Sequence, residues 1–181
     1  MGEGLKVLAR AEWRSTPEEP KPDVSFVPPM ERRRLTGVEK AALAVAHRAM
    51  ERYAASSDPK SLASQSSGAG IPVVFASRWG EIGTTVKLMR QMHDEGEMSP
   101  AGFSNSVHNA APGHWSLLTK NKSPYTAIAA GADSYEMGLL EASTYPGKVL
   151  FVFAEEATPG FYEPQFADVQ AAHAVALLIE N

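Results

Sequence analysis

The chain of 181 residues has the length of one compact domain or of one large half of a bigger fold. Its net charge of −4 argues against nucleic acid as a partner, which needs a clustered positive surface. The absence of cysteine excludes disulfides, thiolate metal sites and thiol nucleophiles within these residues. No apolar run approaches the roughly 20 residues that cross a bilayer, and residues 1–10 carry no signal-peptide pattern. The expected protein is cytoplasmic, with no membrane span.

Residues 5–13 (LKVLARAEW) alternate loosely and read as a first strand. The stretch 16–35 opens with Pro17, Pro20, Pro22, Pro28 and Pro29, so it lacks amide donors and reads as a surface connection. It ends on the basic run Arg32-Arg33-Arg34. Thr36 with Glu39 three residues later forms a capping box, which predicts an alanine-rich helix over 38–55. Residues 56–70, rich in Ser, Gly and Ala, read as a flexible loop. The run IPVVFA (71–76) reads as a buried parallel strand. A helix over 80–93 follows and is ended by residues 96–100. A second helix is predicted over 106–119, interrupted early by Pro112 and Gly113.

Then come a strand over 125–130 (YTAIAA), a small-residue helix over 133–143 and the strand KVLFVFA (148–154). A loop around Pro159 and Pro164 precedes the last strand, 174–180 (AVALLIE). Strands alternating with helices imply a mostly parallel, mixed five-stranded sheet with helices on both faces, an α/β fold. Two consecutive strands at the end suggest one antiparallel edge. The whole of 1–181 reads as a single domain.

Ser106, His108, Asn109 and His114 lie too close along the chain for a nucleophilic triad, whose members must converge across folded structure. For His108 and Asn109 the bland role is hydrogen bonding that ties down a buried helix start. No pair among the histidines has the spacing of a helical metal site, so no metal is expected. Gly68-Ala69-Gly70 precedes a strand, the wrong order for a phosphate cradle, and Gly131 stands alone. No cofactor is expected. The junction from Ile128 to Ser134 is a strand-to-helix turn of the kind that seats a nucleophile beside free helix amides. Here it carries Gly, Ala and Asp, and Asp133 or Ser134 is expected to cap the helix.

Residues 99–142 resemble the core of an elongating β-ketoacyl-acyl-carrier-protein synthase. Ser99-Pro100, Asn109, Gly113-His114 and Ser123-Pro124 fall on that family's pattern. Counting on, its nucleophilic cysteine position lands on Ala132. Phe103-Ser104-Asn105-Ser106-Val107-His108-Asn109-Ala110 and Pro29-Met30-Glu31-Arg32-Arg33-Arg34 are similar to motifs of a divergent branch, the β-ketoacyl-synthase-like N-terminal proteins related to chain-length factors.

The resemblance implies the N-terminal half of a thiolase-like fold, with the second catalytic half absent. It implies a subunit that forms no thioester, because alanine has no nucleophile. Such a subunit assists a condensing enzyme in fatty acid, polyketide or aryl-polyene biosynthesis. The implied partners are a full-length β-ketoacyl synthase or a second copy, and an acyl carrier protein docked on Arg32, Arg33 and Arg34.

The strand Tyr125, Thr126, Ala127, Ile128, Ala129 and Ala130 is the implied dimer seam. Phe103, Val107, His108, Asn109, Trp115, Ala132 and Ser134 are the implied tunnel or pocket residues. The helix bearing Met137, Leu139 and Leu140 is too apolar to stand alone in water, which implies an obligate oligomer. Two alternatives stay open: a homodimeric acyl-binding or interaction protein, and a malonyl decarboxylase or hydrolase using His108, Asn109 or Ser134.

Overall fold

The computed structural model describes residues 5–56, 70–160 and 171–181. Most of the expected loop at 56–70, and Pro164 in the later loop, lie outside them. The described strands are β1 (Lys6–Arg14), β2 (Val73–Ala76), β3 (Tyr125–Ile128), β4 (Lys148–Glu155) and β5 (His173–Glu180). They form one mixed sheet in the order β1-β5-β4-β2-β3. β2 pairs in parallel with β3 and β4, whereas β5 runs antiparallel to both β1 and β4. The antiparallel strand is therefore interior, not the edge that two consecutive strands had suggested. The edges are β1 and β3. β5 can enter the sheet because its alternate side chains are apolar on both faces.

The described helices are α1 (Pro29–Arg32), α2 (Gly37–Ser56), α3 (Ile82–Glu95), α4 (Pro100–Ser104), α5 (Ala110–Thr119) and α6 (Ser134–Ala142). The capping box that starts α2 is closed from both sides. The Glu39 amide donates to Thr36 Oγ1 at 3.1 Å, and the Thr36 amide donates to Glu39 Oε2 at 2.7 Å. α3 ends where Gly96 takes a left-handed φ of 73° and its amide bonds back to Met92, as helices commonly stop.

The helix expected over 106–119 begins later, at Ala110, and α4 forms ahead of it. Pro112 does not interrupt α5. It sits in the first turn, where amides have no intrahelical acceptor to lose. The proline-rich segment is anchored by Val24 and Val27, which are buried in the main core.

Period-two alternation sorts the strands between two cores. Val73, Phe75, Leu150, Val152, Ala176 and Leu178 face α2 and α5. Val74, Ala76, Val149, Phe151, Leu177 and Ile179 face α6. On the first face the alanines of α2 bring a helix of 20 residues flush to the sheet. On the second, α6 approaches through Gly138. A Cβ there would lie 2.6 Å from both Ala76 Cβ and Phe151 Cε2.

Candidate functional site

The carboxyl ends of β2, β3 and β4 come together, the place where open α/β sheets assemble sites. Ser77, just past β2, donates its amide to the Ile128 carbonyl at 3.1 Å and so ties the ends of β2 and β3. Its hydroxyl accepts from the Gly80 amide at 2.7 Å and donates to Glu155 Oε2 at 3.2 Å. The Arg78 amide donates to Glu155 Oε1. Burial pushes the Glu155 carboxyl above its ordinary range, against the opposing pull of these donors. His108 closes the loop from outside, donating from Nε2 to the Ser77 carbonyl at 2.8 Å. Its ring presses on Gly80, where a Cβ would lie 2.5 Å from Nδ1. Only glycine satisfies that contact together with a φ of 55°.

Beyond β3 the chain turns sharply. Gly131 takes a φ of 61°, residues Gly131–Asp133 make one 3₁₀ turn, and α6 starts at Ser134. Ser134 is 1% exposed. Its hydroxyl accepts from the Ala130 amide at 2.9 Å and donates to the Gly131 carbonyl at 2.7 Å. Ser134 thus holds the elbow shut and is committed to that turn. Neither Asp133 nor Ser134 caps the helix amides as expected: Asp133 occupies the cap position with no side-chain bond, and Ser134 reaches backwards instead. Ala132 stands exposed on the turn, between the exposed Gly131 and Asp133.

Among the described strands, β3 is paired on one side only. Tyr125 and Ala129 are exposed, and Thr126, Ala127, Ile128 and Ala130 are partly so. Ala129 and Ala130 lie past the strand's end. Met137 and Leu140, on α6, are 40% and 59% exposed. An open strand edge beside exposed apolar side chains is a template for association.

The other residues singled out in the sequence disperse. Phe103 and Val107 are exposed, whereas Trp115 is 3% exposed in the main core. Ser106 Oγ donates to the Phe103 carbonyl at 2.8 Å, so it does not meet His108. Asn109 precedes α5 without a side-chain cap bond, contrary to its expected tie-down role. The three arginines also separate. Arg32 Nε donates to the Val27 carbonyl at 3.3 Å, while Arg33 and Arg34 are exposed. Among the described residues, no three His, Asp or Glu side chains converge as a metal-ligand set.

A buried acidic network lies between the starts of α2 and α3 and was not foreseen. Glu39 is fully buried and meets His114 Nδ1 at 2.8 Å, which holds the imidazole above its usual pKa. Thr36 Oγ1 donates to Glu81 Oε1 at 2.8 Å. Burial, with Glu39 and Glu156 nearby, pushes the Glu81 carboxyl up to about 8 against that hydrogen bond. Glu156 accepts from the Gly83 amide at 2.6 Å, and its burial also raises its pKa. The capping box located Glu39, but nothing in the spacing of residues 39, 81, 114 and 156 could join them.

Residues 8–181 match the family model described as β-ketoacyl synthase, N-terminal domain. The chain belongs to this family. Among solved structures, it is similar to a chain of the ketosynthase ApeO in complex with its chain length factor ApeC from Xenorhabdus doucetiae. The identity is 28% and the TM-score 0.71, over 86% of this chain and 61% of that one. A complex of a type II polyketide synthase acyl-carrier protein with its ketosynthase, AntDE:AntF, matches at 11% identity and TM-score 0.74, over 98% and 63%. A β-ketoacyl synthase from Burkholderia phymatum matches at 14% and 0.63, over 88% and 45%. These last two show the thiolase-like ketosynthase fold alone. This chain spans less than two thirds of each. No curated protein matches the sequence.

Proposed function

We propose that the protein is a non-catalytic, cytoplasmic ketosynthase-like subunit that pairs with a condensing enzyme, in the manner of a chain-length factor. The carrying observation is the elbow after β3. Its backbone is built and held by Ser134, yet the residue at the centre of its exposed turn is Ala132. A methyl group cannot attack a thioester, and these residues contain no cysteine to substitute for it. What such an elbow retains is shape: a sheet edge, an apolar helix and a turn that a partner can cover.

The one-sided pairing of β3 and the exposure of Met137 and Leu140 support the seam along Tyr125 to Ala130. The likeness to a chain of the ApeO:ApeC complex, a ketosynthase with its chain length factor, supports a full-length ketosynthase as partner. On this reading Phe103, Val107 and His108 contribute to a tunnel wall completed by the partner. Arg33 and Arg34 are the arginines of the basic run that remain exposed for a carrier protein. The commitment of Ser134 to its turn removes support from hydrolysis through that residue.

The test is reconstitution with a full-length ketosynthase and a loaded acyl carrier protein. The expected result is a stable complex whose product lengths change when this chain is present, while the chain alone forms no acyl adduct by mass spectrometry. An acyl adduct on the isolated chain, or unaided condensation, contradicts the proposal.

A further inference from the structure

On the α2/α5 side of the sheet, away from the α6 face, Arg34 and His114 line two cavities at once. One, of about 280 Å³, runs between α1, α2 and α5 and has apolar walls that include Leu43, Leu117 and Leu118. The other, of about 600 Å³, lies against α4 and carries Ser104 and Asn105. Because Arg34 and His114 line both, they adjoin. Their sizes fall around the range of small-ligand sites, about 300–1,000 Å³.

The two residues are held differently. Glu39 is fully buried. It takes the Thr36 amide on Oε2 and His114 Nδ1 on Oε1, so the ring is fixed with Nδ1 occupied. This is the arrangement in which a carboxylate sets an imidazole's tautomer and presents its other nitrogen. The ring lines both cavities. Arg34 is fixed through its backbone, since Asn105 Nδ2 donates to its carbonyl at 3.2 Å. Its guanidinium makes no ion pair among the described residues.

We infer that this cleft is a binding site for a monoanionic amphiphile, a carboxylate on a short saturated chain. The carboxylate lies between the Arg34 guanidinium and His114 Nε2, with the tail against Leu43, Leu117 and Leu118. A fork of guanidinium donors suits a carboxylate's two oxygens. The single charge follows from the neighbours. Glu31 lines the apolar cavity and Glu39 bonds His114, so a second negative charge on the ligand is disfavoured. Glu39 and Glu31 also raise the imidazole's pKa, which favours its charged form, with the Glu39 hydrogen bond as the main cause and burial opposing. This inference does not depend on the proposed subunit role.

The experiment is a titration of the intact chain with octanoate, octanol and octyl phosphate, followed by calorimetry and by the ring-nitrogen signals of His114. Arg34→Gln and Leu117→Ser serve as variants, since both side chains are exposed and neither change disturbs the Glu39 pair. Octanoate is expected to bind and shift the Nε2 signal. Arg34→Gln should weaken it on the order of tenfold, the loss of one charge-assisted contact, and Leu117→Ser by less. Octanol and octyl phosphate should bind more weakly than octanoate. Equal binding of octanol, tighter binding of octyl phosphate, an unchanged affinity in Arg34→Gln, or no octanoate binding at millimolar concentration each overturn the inference.

Discussion

The two faces of the sheet are finished to different degrees. On the α2/α5 face, Ala41, Ala42, Ala44, Ala46 and Ala49 are at most 3% exposed, and the helix that carries them spans 20 residues. On the other face α6 has 9 residues and buries only Ser134, Gly138 and Ala142. Past α6, a broad concavity of about 710 Å³ is bordered by Arg10, Arg14, Tyr135, Phe153 and His173. On one face α2 packs flush on the sheet, and the Arg34–His114 cleft lies outside that layer. The other combines a helix held close to the sheet with apolar side chains turned outward and, at β3, an unpaired strand edge. Closed packing serves stability, whereas a half-covered face next to an open edge serves association.

The largest effect that should separate the faces is Leu43→Ala. Leu43 is 2% exposed in the main core, and the change should cost about 3–4 kcal/mol in denaturant unfolding. Leu140→Ala, on the half-covered face, should change the unfolding of the isolated chain by less than about 0.5 kcal/mol. Similar costs for the two would erase the contrast.

Stability should also depend on pH through the acidic network on the α2 side. Glu81 keeps its proton in the folded state up to about pH 8, above its ordinary 4.5. The unfolded chain releases that proton near 4.5. Between those values the folded state holds more protons, so stability falls as pH rises and is lowest above about 8. Glu81→Gln should flatten this decline, gaining on the order of 2–3 kcal/mol relative to the wild type between pH 5 and pH 9. Parallel curves in thermal unfolding at the two pH values would falsify this.

Gly138→Ala should cost about 2 kcal/mol, because the new methyl meets Ala76 and the Phe151 ring. It should also lift α6 and weaken association. A smaller loss is expected for Ser134→Ala, about 1 kcal/mol from two lost hydrogen bonds. Faster amide exchange at Ala130, the donor freed by the change, would mark that loss; unchanged exchange there would remove Ser134 from its assigned role.

Local chemistry made part of this structure readable in advance. Thr36 and Glu39 marked the start of α2, and the apolar run 148–154 marked β4, because caps and periodicity act over a few residues. The strand order did not follow from the chain order. β5 lies between β1 and β4 because both its faces are apolar, and its neighbours are set by tertiary pairing. α4 was missed because five residues carry too little periodicity, and Pro112 was misread because its effect depends on where the helix begins. The resemblance directed attention to Ala132 and the β3 seam. It gave no hint of the Glu39–His114 pair, which spans 75 positions, or of the cavities that meet at it.

Whether the half-covered face is an interface is tested most directly by mass in solution. Sedimentation velocity at micromolar concentration should be run on the chain alone and mixed with a full-length ketosynthase, each with and without Met137→Glu plus Leu140→Glu. The account predicts assembly of the wild-type chain in at least one mixture and its loss in the double variant, with unfolding of the isolated chain little changed. A wild-type chain that sediments as a monomer in both, or a double variant that assembles undiminished, contradicts it.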